Sequence, residues 1–239
     1  MSKVIGIIPA RKGSQSVAHK NFRNFHGKPL ISWTIELALK SNLDRVIVSS
    51  DDINIIDYAK NLGAEAPFIR PKNLSEASTP IEPVIKHVYE YLIDKEKYKA
   101  DAIALLLPTS PFRLLADINS AIEIYEKEKP TSVVSVSIAE ANYNPHWMLV
   151  EKSGSVSLFN GKKLSEIKDR RQDLPEVFIR NDFIYLMNPK NLYETPPNLY
   201  GDKVHLLKIE EHRYDIDINS EKDWTVAENL FEYINKKHE

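Results

Sequence analysis

Short, wholly apolar runs alternate along this chain with longer stretches whose apolar residues recur every three or four positions. Lys3 to Ile8 is a β-branched run closed by Pro9-Ala10 and reads as a buried parallel strand. After a polar stretch from Arg11 to Asn24, Leu30, Trp33, Leu37 and Ala38 recur at helical spacing behind Pro29, a residue suited to a first turn. Arg45 to Ser49 predicts a second strand and Ile53 to Leu62 a second helix. Thr79-Pro80-Ile81-Glu82 has the form of a capping box. Val84, Ile85, Val88, Tyr89 and Leu92 share one face of the helix it would open. Ala102 to Leu107 predicts another strand. Leu114 to Glu128 predicts a helix with Ile118, Ala121, Ile122 and Tyr125 inward, and Thr131 to Ile138 a further strand. This alternation marks an α/β fold with a doubly wound, mostly parallel sheet.

The rhythm then changes. Residues 139–173 are polar and rich in turn formers, with short strands expected at His146–Glu151 and Ser155–Asn160. They read as a small inserted lobe of hairpins within one domain spanning residues 1–239. Phe183 to Met187 and Lys203 to Ile209 return to core strands. Ser220 would cap a final helix with Trp224, Ala227, Leu230, Phe231 and Ile234 on its inner face.

Composition narrows the function. The 239 residues suffice for one large α/β domain or a domain with a small lobe. Lys plus Arg total 32 against 34 for Asp plus Glu, a net charge of −2, so nothing draws the chain as a whole to nucleic acid or an anionic membrane. Anion binding must come from a local cluster. The absence of cysteine excludes disulfides, thiolate-bound zinc and thiol catalysis. Residues 1–10 are too short an apolar run for a signal peptide, and no segment approaches the roughly 20 apolar residues of a membrane helix. A cytoplasmic protein is expected.

Ligands of open α/β sheets bind beyond the carboxyl ends of the strands, and three polar clusters fall there. The first, Arg11 to Asn21, carries Arg11, Lys12 and Lys20, with Gly13 and Ser14 allowing main-chain N–H groups to approach an anion. It suits a triphosphate, or it is a solvated basic loop. The second is Asp215-Ile216-Asp217, whose carboxylates would share one side of an extended segment. That arrangement is costly unless a cation such as Mg²⁺ sits between them; the alternative is a surface turn. The third is Leu107-Pro108-Thr109-Ser110-Pro111-Phe112-Arg113. It forms either a rigid loop of hydroxyl donors with Arg113 meeting an acidic ligand, or a helix entry with Arg113 capping local carbonyls. A dinucleotide fingerprint is excluded because only Gly13 is present where three glycines are needed, so Asp51 reads as a helix N-cap or a surface residue. A P-loop, a His-Glu-x-x-His zinc motif and a Gly-x-Ser-x-Gly elbow are likewise absent. Arg170-Arg171-Gln172 in the lobe could meet an anionic sugar or phosphate, or stand as a solvated charge run.

Taken in order, several stretches resemble the acylneuraminate cytidylyltransferases. They are Ile8-Pro9-Ala10-Arg11-x-Gly13-Ser14, Lys20-Asn21, Gly27-Lys28-Pro29-Leu30, Arg70-Pro71-x-x-Leu74, Pro108-Thr109-Ser110-Pro111-x-Arg113, Arg171 to Pro175, Asn181 with Ile184-Tyr185, and Asp215-Ile216-Asp217. The set covers nearly the whole chain. The resemblance implies a Rossmann-like nucleotidyltransferase that joins CMP from CTP to a sialic-acid-like nonulosonate, releasing pyrophosphate. Another acidic sugar, such as a 3-deoxy-octulosonate, or a nucleotide-binding homologue without catalysis are the alternatives. It further implies that Arg11 and Lys20 hold the triphosphate, that Asn21 and Arg70 bind cytidine, and that Asp215 and Asp217 hold Mg²⁺. Arg171 would lie near phosphate or sugar, and the lobe would form a homodimer. Leu107, Thr109, Ser110, Arg113 and Asn181 join the expected substrate-binding set.

The sequence also departs from that pattern. Gln15-Ser16 stands for the usual Lys-Gly, Leu107 for a sugar-contacting Gln, Ala77 for Asp, and Asn181-Asp182-Phe183 for Asn-Gly-Ala. The changes at 107, 182 and 183 point to an altered sugar rather than to N-acetylneuraminic acid.

Overall fold

The computed structural model describes residues 2–13, 16–209 and 216–238. In chain order the described elements begin with β1 (Val4–Pro9), a small ribbon of β2 (Asn24–Phe25) and β3 (Lys28–Pro29), and α1 (Leu30–Leu39). β4 (Arg45–Ser49), α2 (Ile53–Asn61), α3 (Ile81–Glu96), β5 (Ala102–Leu105), α4 (Leu115–Glu128) and β6 (Ser132–Ile138) follow. The hairpin β7 (Leu149–Lys152) and β8 (Ser155–Leu158) comes next, then β9 (Phe178–Met187), β10 (Val204–Lys208) and α5 (Glu221–His238). Six strands form one sheet in the order β10-β6-β9-β5-β1-β4. β1 runs parallel to both its neighbours, with Ile7 opposite Ile47 and Leu105. β9 runs antiparallel to β5, with Leu105 opposite Tyr185. The carboxyl ends of β1, β4 and β5 therefore share one sheet edge with the Asn181–Phe183 part of β9.

The apolar runs form these strands because both of their faces are covered, as the unbroken burial of Val4 to Ile8 shows. Ile31, Ile35 and Ala38 of α1 join Val4, Ile8, Val46, Val48, Ile118 and Ile122 in the main core cluster. The helical face read from Leu30, Trp33, Leu37 and Ala38 is thus only part of what α1 buries, because Ile31 and Ile35 were not in it. The indole N–H of Trp33 donates to the Phe25 carbonyl at 3.0 Å, and its ring meets Phe231 of α5 at 4.6 Å. α1 is covered on two sides, so one apolar stripe could not reveal the sheet-facing one.

Other boundaries moved for local reasons. The capping box at residues 79–82 does not form: Pro80 holds the cap position of α3, and the Thr79 hydroxyl donates instead to the Asn73 carbonyl at 3.1 Å. Asp52, not Asp51, caps α2 by accepting from the Asn54 N–H at 3.0 Å. β7 starts later than expected because the Asn144 carbonyl takes the N–H groups of Trp147 (2.8 Å) and Met148 (3.0 Å) in a turn. The hairpin itself turns on Ser153 and Gly154, both at positive φ (52° and 77°), as a tight two-residue turn requires.

The chain separates into two compact units. The larger holds the described residues of 1–135, 181–207 and 214–239, and the smaller holds Val136–Arg180 with residues 208–209. Within the smaller unit Leu158 is fully buried, while Leu149 and Phe159 are 59% and 61% exposed.

Gly201 fixes the larger unit near the start of β6. Its φ is +64°, and a Cβ there would lie 2.6 Å from the Thr131 Cβ and 2.9 Å from the Asn191 Oδ1. Gly201→Ala is expected to cost about 2 kcal/mol. Thermal denaturation should show the midpoint falling by about 4–8 °C.

Candidate active site

The polar cluster after β1 leaves the sheet at Ala10, whose N–H donates to the Ser49 carbonyl at 2.9 Å. Asp51 steadies the loop by accepting the Lys12 N–H at 2.8 Å. The surface-or-cap choice left open for Asp51 thus resolves into a loop anchor. Ser14 lies outside the described residues. Beyond it the chain makes a tight turn in which His19 adopts a φ of 52° and its carbonyl accepts the N–H groups of Phe22 and Arg23. That turn presents Lys20 and Asn21. Asn21 is buried, with its amide nitrogen 3.2 Å from the Arg11 carbonyl.

Lys20 reaches across to the segment before α5, where its Nζ donates to the Ile218 carbonyl at 2.7 Å. The Ile218 N–H in turn donates to the Thr109 carbonyl at 2.9 Å. Residues 216–219 therefore lie between the loop after β1 and the loop after β5. α5 holds them there: Trp224 packs edge-on against Phe25 at 5.5 Å, and Arg23 lies over the Trp224 ring at 4.2 Å while pairing with Glu221.

Arg70 comes from the segment between α2 and α3. Its N–H donates to the Ser50 carbonyl at 2.7 Å, and its guanidinium donates to the carbonyls of Ser49 and Leu74. Arg11, Lys20, Asn21, Arg70, Leu107 and Thr109 line one cleft of about 650 Å³, part of it open to solvent. Pro9, Pro108 and the stretch from Leu74 to Val84 complete the wall. Ala77 was read from the sequence as a departure from the family pattern, whereas the contribution of Glu76, Thr79, Ile81 and Val84 was not, because that stretch showed only a helix start. Gly13 is not among the lining residues.

Three cations share this cleft, and two of them have shifted acidities. Burial lowers the Lys20 pKa, with Asp217 opposing and Arg11 adding to the fall. Burial likewise pulls Arg70 down to about 10, against Asp51 and with Arg11. Asp217 is shifted the other way: burial raises it, the Thr109 hydroxyl opposes, and the charge of Asp182 adds to the rise. Its Oδ1 is shut off from solvent without a hydrogen bond, and its Oδ2 accepts from the Asn219 amide. Asp215, the other half of the expected metal pair, lies outside the described residues.

The other expected residues stand beneath or apart from the cleft. Ser110 is fully buried, its hydroxyl donating to the Asp182 carbonyl at 3.3 Å. Arg113 is 4% exposed and donates to the carbonyls of Phe183, Leu107 and Asp182 and to the Thr34 hydroxyl. Of the two roles the sequence left open for Arg113, the structure displays carbonyl capping. Asn181 is buried in β9, its Oδ1 accepting the Phe183 N–H. Phe183 is fully buried and is not a cleft-lining residue, so it adds no apolar bulk to that wall. Arg171 belongs to the smaller unit, exposed in a 3₁₀ turn at Arg171–Asp173. Asp182 escaped the sequence reading as a neighbour of Asp217. It sits at φ +57°, a conformation Asp tolerates better than most residues, with the Tyr185 hydroxyl donating to its carboxylate. A position that usually takes Gly was the available signal of that left-handed backbone.

Comparison with known proteins identifies the family. A family model described as cytidylyltransferase fits residues 5–234. The CMP-N,N'-diacetyllegionaminic acid synthase of Legionella pneumophila is 31% identical over 234 residues, covering 96% of this chain and 97% of the relative. The pseudaminic acid cytidylyltransferase of Campylobacter jejuni is 31% identical over 215 residues, 84% of this chain and 90% of the relative. Among solved structures, a CMP:2-keto-3-deoxy-manno-octonic acid synthetase complexed with CTP superposes with a TM-score of 0.71 over 97% of this chain and 99% of that one. At 16% identity that likeness speaks for the α/β fold alone. With the family match running from the first strand into the last helix, the chain belongs to the cytidylyltransferase family and is a CTP-dependent nucleotidyltransferase.

Proposed function

We propose that this enzyme transfers CMP from CTP to the anomeric hydroxyl of an acidic, N-acylated nonulosonate. The observation that carries the reading is the cleft itself. In a chain of net charge −2, Arg11, Lys20 and Arg70 converge at the carboxyl edge of the sheet, two of them with lowered pKa values. Cations held in mutual repulsion are relieved by a polyanion, and a triphosphate supplies one. The sugar hydroxyl attacks the α-phosphorus, forming the new O–P bond and releasing its proton as the bond to the pyrophosphate oxygen breaks. Such transfer depends on positioning and charge neutralisation more than on covalent chemistry by the protein. Arg11 and Lys20 would hold the phosphates, while Asn21 and Arg70 face the nucleoside.

Asp217 fits a Mg²⁺ ligand. A buried carboxylate oxygen with no donor and with Asp182 close by is costly, and a hard cation relieves it. Asp215 is the second ligand of the reading. When bound, the ion would neutralise phosphate charge. Asp217→Asn should reduce pyrophosphate release from CTP by about 100-fold or more while leaving the circular dichroism and thermal midpoint unchanged. Near-normal turnover of that variant at limiting Mg²⁺ would remove the assignment.

Two relatives bear names of nonulosonate enzymes, one of them for an N,N'-diacetylated acid. Leu107 stands in the cleft wall where the family pattern has an amide. A site built to hydrogen-bond a hydroxyl rejects an analogue that cannot pair, and an apolar wall favours the reverse. A diacylated nonulosonate is therefore expected to exceed N-acetylneuraminic acid in kcat/KM by about tenfold to a hundredfold, the worth of one polar contact. Leu107→Gln should shift that ratio back. A wild-type enzyme with its highest kcat/KM on N-acetylneuraminic acid would refute this choice of sugar.

The functional unit is proposed to be a homodimer built through the smaller unit. Met148, Leu149, Val156, Phe159, Leu164 and Ile167 are all exposed on it, more apolar surface than a small lobe ordinarily leaves to water. Light scattering at micromolar concentration should give twice the 27.4 kDa chain mass, and Phe159→Asp should lower it toward that of one chain. A monomeric wild type would count against the lobe as an interface.

A further inference from the structure

Among the described residues, six buried side-chain polar atoms make no hydrogen bond, and three of them belong to one neighbourhood: Ser49 Oγ, Arg70 Nε and His87 Nδ1. The Arg70 guanidinium already donates to the Ser49 carbonyl, so the Ser49 hydroxyl stands on the residue that anchors it. His87 lies on α3 within electrostatic reach of Arg70. The α3 face around it supports the segment leading to Arg70. His87 meets Phe68 edge-on at 4.7 Å, Tyr91 meets the same ring at 4.9 Å, and the Tyr91 hydroxyl donates to the Pro67 carbonyl at 3.4 Å. Buried polar atoms are rarely left unsatisfied, and an ordered water is the usual partner where the protein supplies none.

We propose that His87 is a positioning residue for Arg70: with Ser49 Oγ, its Nδ1 takes up the Nε–H edge of the guanidinium through a bridging water and fixes the face that Arg70 turns to the nucleotide. One N–H of each terminal nitrogen goes to the Leu74 and Ser49 carbonyls, and Nε is the buried nitrogen of the guanidinium left without an acceptor. A nitrogen acceptor at 87 completes that set without adding charge. Burial, and next the Arg70 charge, push the imidazole below its ordinary pKa against the pull of Glu90, which keeps it neutral and able to accept. Neither His87 nor Ser49 is among the cleft-lining residues, so their effect on a nucleotide must pass through Arg70.

The inference rests on the reading of Arg70 as a nucleotide contact, and its test separates the two. His87→Phe keeps a ring against Phe68 and removes the nitrogen. His87→Asn keeps a polar atom at the Nδ1 position and removes the ring. Calorimetric titration with CTP is expected to show the Phe variant binding about tenfold more weakly, the worth of one hydrogen-bonded contact, with the thermal midpoint unchanged or raised. KM for CTP should rise in parallel while kcat and the sugar KM stay within about twofold, the pattern of lost ground-state binding. The Asn variant should retain CTP affinity while its thermal midpoint falls, and Ser49→Ala should weaken CTP binding as the Phe variant does. CTP affinity that follows the thermal midpoint, or a Phe variant that binds CTP like the wild type, overturns the role of His87. A wild type that does not bind CTP overturns the reading of the cleft itself.

Discussion

Arg113 keeps a full charge where almost no water reaches it. Its guanidinium gathers the carbonyls of Leu107, Asp182 and Phe183 and the hydroxyl of Thr34, joining the end of β5, the bend of β9 and the flank of α1. Burial pulls its pKa down to about 10, with Asp117, Asp182 and Asp217 opposing, so it stays protonated at neutral pH. Without it, several buried carbonyls would lose their donor at a cost of about 1–3 kcal/mol each. The antiparallel entry of β9 beside β5 would also lose its clamp. Everything at that sheet edge, from the Thr109 loop to the residues before α5, is placed relative to this cation.

The cleft shows the complementary use of charge. Arg113 is saturated by carbonyls, whereas Lys20 and Arg70 are partly desolvated and face a third cation, Arg11. A cation whose donors are mostly taken by the fold ties elements together, and one left beside other cations in a cleft is suited to receive an anion.

The difference explains what the sequence could and could not disclose. Strands with both faces covered announce themselves as apolar runs, so β1, β4, β5 and β6 were legible within a residue or two. Residues 11–21 and 107–113 were legible as polar clusters at strand ends, because the topology makes such ends functional. The partners of each polar atom were not legible. Nothing local to Thr79 tells that its hydroxyl will choose the Asn73 carbonyl over the first turn of α3. Nothing near Arg113 tells that β9, some 70 positions on, will consume its donors. Asp182 was visible only as a departure from a glycine, and the reason is its backbone angle rather than its charge.

The contact between Lys20 Nζ and the Ile218 carbonyl spans 198 positions of chain. During synthesis the basic loop after β1 emerges early, while the segment that receives Lys20 and brings Asp217 is still to be translated. β1, β4 and β5 all precede that segment, but Lys20 has no fixed seat until α5 docks Trp224 against Phe25. The seat of Lys20 is thus completed only when nearly the whole chain has left the ribosome.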